Sequence, residues 1–241
     1  MRVLYGYARS EAYLVGEDQM DLLGNPKLLI VPSPWTLNQS AFEAIVAKVR
    51  EGATLLISGP FDKDPHFHST GRQKLLGIDY TSAQLALQNQ VFEWPGGTAE
   101  LLFERNKSDV LERAILPNGQ LFVEKDFGKG KVLFATIPLE LNENQELIGS
   151  VYQRALKAAG VGATYRTSIN DPGLMICPTK FPNATLYVIT SESNRDQVSF
   201  HDVRSDKEFS SHLEPGRAAL LLIRTDGKLL ASYNWNTASG F

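Results

Sequence analysis

The segment LLISGPFDKDPHFHSTG, Leu55–Gly71, brings two aspartates and two histidines within seven positions, directly after an apolar run. Three kinds of chemistry are open to it. The first is nucleophilic: Ser58 sits where many α/β enzymes place a hydroxyl on a tight turn after a buried strand, with the next backbone N–H holding the oxyanion. No G-x-S-x-G pattern surrounds Ser58, and if Gly59 occupies the apex then Pro60 has no N–H to donate, so the segment argues against that use. The second is metal binding, with Asp62, Asp64, His66 and His68 as oxygen and imidazole ligands. Alternation along an extended segment would put His66 and His68 on one side, as two ligands of one ion require, but Pro65 leaves the loop geometry unset.

The third reading is a polar ligand cleft. Asp62, His66 and His68 are hydrogen-bonding types, Phe67 is a stacking type, and such residues meet sugars. Trp35 follows the neighbouring strand on the same edge, where ligands of open α/β sheets gather outside the strands' carboxyl ends. The plain structural alternative has Asp62 capping a turn, Phe67 plugging the edge of the core and Trp35 filling an interface.

Other motifs carry less. Neither phosphate-binding signature is present, and FGKGK, Phe127–Lys131, reads as a hairpin turn. Glycoside chemistry needs two carboxylates facing one cleft, and nothing pairs any two of Glu93, Glu100, Glu104, Glu124 and Glu140.

The elements that must position these residues follow from hydrophobic pattern. PKLLIVPS and ATLLISG are short continuous apolar runs, the pattern of strands buried on both faces. Between them Phe42, Ile45, Val46 and Val49 recur at helical spacing, Thr36 and Gln39 fit a capping box, and Gly52 stops the helix. KVLFATIP predicts a third buried strand fed by a hairpin at Gly128–Gly130, and a second helix runs from about Asn142 to Gly160. Asp79–Glu124 reads as short antiparallel strands, and the runs after Arg166 as a small all-β sandwich domain. The tail NTASGF is expected to fray.

Composition narrows the function classes. The 241 residues are 43% hydrophobic, enough for a sizeable core. Net charge is 24 − 27 = −3 with basic residues dispersed, which excludes the footprint of a nucleic-acid binder. No apolar run reaches membrane-spanning length and no secretory leader is legible, so no membrane partner is expected. Cys177, alone, excludes an internal disulfide framework; it leaves the compartment open, with the cytoplasm favoured.

The combination KLLIVPSPWTLNQSAFEAIVAKVREGATLLISGPFD and GKGKVLFATIPLE resembles the class I glutamine amidotransferase-like fold, in the version used as the accessory, trimerisation-type domain of bacterial β-galactosidases and related glycoside hydrolases. In glutaminases of that fold one strand ends at a catalytic cysteine and the last leads to a His-Pro-Glu triplet. Here Ser58-Gly59-Pro60 and Pro138-Leu139-Glu140 stand at those places, so the resemblance implies a scaffold without the catalytic residues.

The resemblance implies an α/β fold: a flavodoxin-like, amidotransferase-like parallel sheet flanked by helices and N-terminally truncated over 1–164, then a small antiparallel β-sandwich over 165–241. The implied function is a non-catalytic accessory or oligomerisation module with no cofactor. Its implied partners are another copy of the chain or a glycosidase barrel domain, and a carbohydrate touching Trp35, Asp62, His66, Phe67 and His68. The alternative is a small hydrolase or metal-dependent enzyme using the Asp62–His68 loop.

Overall fold

The computed structural model describes residues 4–85, 90–103, 111–169, 171 and 173–237. The chain divides into two compact units, one of Leu14–Val161 and one in which Met1–Tyr13 joins Gly162–Phe241.

The unit Leu14–Val161 contains β1 (Leu28–Val31), α1 (Gln39–Glu51), β2 (Thr54–Ser58), β3 (Thr81–Gln84), β4 (Gln90–Trp94), β5 (Gly97–Leu101), β6 (Glu112–Ile115), β7 (Phe122–Phe127), β8 (Gly130–Ala135) and α2 (Gln145–Ala158). Its main sheet has the order β1-β2-β8-β7. The pairs β1–β2 and β2–β8 are parallel, and β7 adds antiparallel to β8. The central β2 is buried along its whole length, as a strand with neighbours on both sides should be; β1, at the edge, buries only Leu29. The expectation of two strands covered on both faces therefore holds for β2 and not for β1.

Helix α1 turns Ala41, Phe42, Ile45, Val46 and Val49 inward onto Leu55, Ile57, Val132 and Phe134. Its start differs from the expected capping box: Asn38 occupies the N-cap and no side chain caps the turn. Helix α2 is capped by the Asn144 side chain, which accepts the Leu147 N–H at 3.1 Å. Asp79–Glu124 yields two short ladders, β3 with β6 and β4 with β5, before β7. Glu104 lies outside the described residues.

The other unit contains β9 (Tyr165–Arg166), β10 (Leu174–Lys180), β11 (Ala184–Ser191), β12 (Gln197–Asp202), β13 (Lys207–His212), β14 (Ala218–Arg224), β15 (Leu229–Tyr233) and β16 (Asn236–Thr237). They form two antiparallel sheets, β10-β11-β14-β15 and β16-β13-β12-β9. In β10, β11, β12 and β14 alternate residues turn one face into a shared core around Tyr187, Phe200 and Leu221. The early segment is tied to it by Tyr165, whose hydroxyl donates to the Tyr5 carbonyl at 2.6 Å, and by the Thr164 N–H on the Arg9 carbonyl. The end of the tail, residues 238–241, lies outside the described residues.

This architecture corrects the expected fold class. The protein is mostly β, with 38% strand and 19% helix and only two α-helices among the described residues, spread over several small sheets. It is not a flavodoxin-like parallel sheet flanked by helices. The physical reason lies in the connections. A parallel sheet grows by repeated strand-helix-strand crossovers, and only β1-α1-β2 is one. Between β2 and β8 the chain makes antiparallel ladders instead, and β7 reaches β8 through the two-residue turn Gly128-Lys129, which can only give an antiparallel neighbour.

That turn also presses on α1: the Lys129 N–H reaches the Arg50 carbonyl at 3.1 Å. A Cβ on Gly130 would stand 2.1 Å from the Ala53 carbonyl oxygen and 2.3 Å from that of Val49. Gly130→Ala is expected to destabilise this unit by about 2 kcal/mol or more through overpacking against main chain. The urea midpoint measures it, and an unchanged midpoint would mean that the hairpin is not seated on the helix end.

Candidate functional site

The carboxyl ends of β1, β2 and β8 meet at one place, and the residues that follow them build a pocket of about 260 Å³. It is lined by Ser33, Pro34 and Trp35 after β1, by Gly59, Pro60, Lys63 and Phe67 after β2, by Pro138 after β8, and by Glu112 of β6. Two exposed aromatic rings, a charged pair and a serine thus share one concavity. Lys63 Nζ bonds both carboxylate oxygens of Glu112 at 2.7 Å.

Three of the lining residues have left-handed backbone: Ser33 at φ 45°, Phe67 at φ 64° and Gly59 at φ 71°. For a residue with a side chain this conformation costs about 1–2 kcal/mol. Ser33 is additionally followed by proline, which disfavours anything but extended backbone before it. At Gly59 a Cβ would come 3.3 Å from that of Pro138, so glycine serves both the angle and the close approach.

The loop after β2 is anchored from below. Phe61 is fully buried in a cluster with Phe42, Tyr80 and Phe134, its ring 5.5 Å from Phe134 and 5.8 Å from Tyr80. Asp62 is also buried: its Oδ1 accepts the Tyr80 hydroxyl at 3.0 Å and its Oδ2 the Ser69 hydroxyl at 2.6 Å. Burial, followed by the charge of Asp62, holds the Tyr80 phenol protonated well above its ordinary range. Arg72 completes the anchor. Its Nε donates to the Phe61 carbonyl at 2.8 Å, one terminal nitrogen to the Leu37 carbonyl at 2.5 Å and the other to the Lys63 carbonyl.

Above this anchor, Asp64 folds the tip of the loop. Its Oδ1 accepts the N–H groups of His66 and His68, both at 2.9 Å, while its main chain pairs with Phe67 N and His68 O. The His68 N–H, then that of His66, lower the Asp64 pKa below the usual carboxylate range. The turn forces Phe67 into its left-handed backbone and leaves 58% of the residue exposed at the pocket.

Of the residues singled out by sequence, Trp35 and Phe67 are brought together in the pocket. Asp62 lies beneath the loop, its oxygens committed to Tyr80 and Ser69. His66 and His68 stand exposed at the tip with ring centres 6.2 Å apart and do not line the pocket. Asp64, from the alternative metal set, gives Oδ1 to main-chain N–H groups and holds Oδ2 3.5 Å from the His68 Nδ1. Among the described residues no three His, Cys, Asp or Glu side chains gather in a group that could hold a metal.

Sequence reasoning missed Ser33, Lys63 and Glu112 at the pocket, and a polar network under its floor. Ser58 is fully buried. Its hydroxyl donates to Glu140 Oε2 and accepts the Ser33 N–H at 3.0 Å. The Ser33 hydroxyl donates to the same Glu140 oxygen at 2.5 Å, and the Tyr152 hydroxyl of α2 donates to Oε1 at 3.0 Å. Burial and the Glu140 charge raise the Tyr152 pKa. The N–H of Gly59 goes to the Ala135 carbonyl at 2.9 Å, so neither residue after Ser58 offers a donor to an oxyanion. No motif marks these partners, because they come from three strand ends and a helix far apart in sequence.

No protein-family model matches the chain, and no curated protein matches it in sequence. Solved structures do match in fold. A β-galactosidase from Bacillus circulans sp. alkalophilus superposes with a TM-score of 0.64 at 13% identity, over 94% of this chain and 35% of that one. A catalytic mutant of a GH42 β-galactosidase from G. stearothermophilus gives 0.63 at 11% identity, over 92% and 35%. The cold-adapted β-galactosidase from Rahnella sp. R3 gives 0.61 at 13%, over 92% and 36%. The chain thus spans about a third of the length of the β-galactosidases it matches. These likenesses support the β-galactosidase side of the resemblance; the amidotransferase side gains no support from them.

Two outcomes follow from the anchor and the turn. Arg72→Leu strands the Phe61 and Leu37 carbonyls, while the Lys63 carbonyl keeps the Leu37 N–H. With about 1–3 kcal/mol for each buried group left unpaired, the urea midpoint should fall by the equivalent of about 3 kcal/mol. For Asp64 the sign is set by the lowered pKa: the turn is fully held above the ordinary carboxylate pKa and is released as pH falls through the lower folded value. The amide resonances of His66 and His68 should therefore titrate together with a midpoint below about 3.9. A midpoint at or above that value would remove Asp64 from the role.

Proposed function

We propose that this chain is a non-catalytic accessory module of a β-galactosidase-like glycoside hydrolase, working in assembly with a glycosidase barrel domain or another copy of itself and lining the rim of a carbohydrate site. The observation that carries the reading is the pocket. Trp35 and Phe67 expose rings on which the C–H face of a pyranose can rest, and Ser33, Lys63 and Glu112 bring polar groups suited to its hydroxyls. Lys63 and Glu112 neutralise each other, which suits a neutral sugar.

Two further facts support it. The fold is one found within β-galactosidase chains, of which this chain spans about a third. The position at the end of β2 where a nucleophile would act is closed, since the Ser58 hydroxyl donates its hydrogen bond to Glu140 and the adjoining N–H is used by the sheet. On this reading His66 and His68 meet a sugar only if it reaches past the pocket to the loop tip.

Calorimetry with galactose, lactose and a neutral glucoside tests the pocket. A galactoside is expected to bind with a dissociation constant on the order of 1 mM, about −4 kcal/mol, and Trp35→Ala should abolish the heat while His66→Ala, His68→Ala weakens it less. Absence of heat with all three sugars would sink the carbohydrate part. Light scattering on the chain mixed with a GH42 barrel domain tests assembly: a mass equal to the separate components would sink that part.

A further inference from the structure

We propose that Ser58 and Glu140 are positioning residues for Trp35, acting from beneath the pocket through the strained backbone of Ser33; the inference deepens the carbohydrate reading of the pocket and rests on it. Three facts carry it. Ser33 holds φ 45° directly before Pro34, a combination that an isolated chain avoids and that persists only when the surroundings impose it. Those surroundings are two side chains, Ser58 at the end of β2 and Glu140 in the turn after β8. Ser58 takes the Ser33 N–H at 3.0 Å and fixes its backbone; Glu140 takes the Ser33 hydroxyl at 2.5 Å and fixes its side chain.

The third fact is the short path onward. Pro34 has a locked φ, so few torsions separate the constrained Ser33 from Trp35. Trp35 is 53% exposed, so packing alone does not place its ring, and its direction is inherited from Ser33. Ser58 and Glu140 bond each other as well, so the two constraints act as one unit. Tyr152 holds the other oxygen of Glu140 and ties the unit to α2 without touching Ser33. The network that occupies a nucleophile's place thus prepares a binding surface in advance of the ligand.

The test is fluorine NMR on protein labelled with 5-fluorotryptophan, whose three tryptophans give three resonances; Trp35→Phe assigns that of Trp35. Ser58→Ala removes the acceptor for Ser33 N–H and should shift and broaden the Trp35 resonance, leaving that of Trp94, on β4 of the same unit, in place as the sign that this unit is folded. Galactoside affinity should fall about tenfold as pre-organisation is lost. Glu140→Gln in the otherwise unmodified chain, which keeps an acceptor oxygen, should retain most of the Trp35 line and of the affinity, and Tyr152→Phe should lower the melting temperature without moving Trp35. Should Ser58→Ala not fold, Ser33→Gly drops the link to Glu140 at a position where glycine is unstrained, and the Trp35 line should broaden likewise. A Trp35 resonance unchanged in the folded variants, or moved as far by Tyr152→Phe, overturns the proposal. If the unmodified chain binds no galactoside, the carbohydrate reading falls on that result alone, and the resonances still decide the positioning role.

Discussion

Arg72 is a guanidinium shut away from water, and the three hydrogen bonds it makes go to main-chain carbonyls. Burying a cation is costly unless its donors are met, and here they are met by the chain on either side of the pocket: Phe61 and Lys63 in the segment after β2, Leu37 in the segment after β1. One side chain thereby fixes the two loops against each other. The Phe42 ring lies beneath it, with the guanidinium carbon 5.3 Å from the ring centre, so the same group ties both loops to α1. Burial lowers its pKa, but from a value so high that the charge stays. Everything above it inherits its place from this anchor.

What is built on the anchor is strained. Ser33 and Phe67 hold left-handed backbone, and each presents or leads to an aromatic ring that water surrounds on one side. Neither feature helps the fold: an exposed ring gains little from burial, and the backbone costs energy. Such expense is ordinarily kept where a ligand repays it. Two carboxylates enforce the two turns, Asp64 through amides of its own loop and Glu140 through hydroxyls brought from separate elements. They differ in surroundings. Asp64 sits in an exposed loop and holds only local geometry, whereas Glu140 receives hydroxyls from β2, from α2 and from the segment after β1, so its bonds also join elements of the unit.

What the sequence made legible was local. The spacing of Phe42, Ile45, Val46 and Val49 announces α1, the apolar run Leu55–Ile57 announces a central strand, and Gly128 with Gly130 announces the hairpin. The fold class went astray because one genuine strand-helix-strand unit was extended into a whole sheet. The pairing of β3 with β6 across some thirty residues leaves no periodic trace. The site was legible to the same degree. Trp35 and Phe67 are conspicuous as residue types, while Glu112 reaches the pocket only through the β3–β6 ladder, and Glu140 acquires its partners only when three strand ends converge. Asp62 and the histidines misdirect for a related reason: polarity in a loop shows that hydrogen bonds will be made, not whether they point inward. Here Asp62 points into the protein, and His66 and His68 contribute their amides to Asp64.

The network under the pocket shows why residue types alone do not make an active site. A serine beside a carboxylate, at the end of a central parallel strand, has the composition of a catalytic pair. Catalysis needs a free lone pair on the base, an approach to the hydroxyl and a donor waiting for the oxyanion. Glu140 already accepts three hydroxyls of the roughly four a carboxylate can take. Ser58 has no exposed surface, and the adjoining N–H groups are spent on the sheet or absent at proline. The bonds that Ser58 and Glu140 make to Ser33 and to each other remove catalytic options and at the same time constrain Ser33 geometrically. The same set of groups cannot do both: a hydroxyl held by Glu140 tightly enough to fix a strained turn is a hydroxyl withheld from reaction.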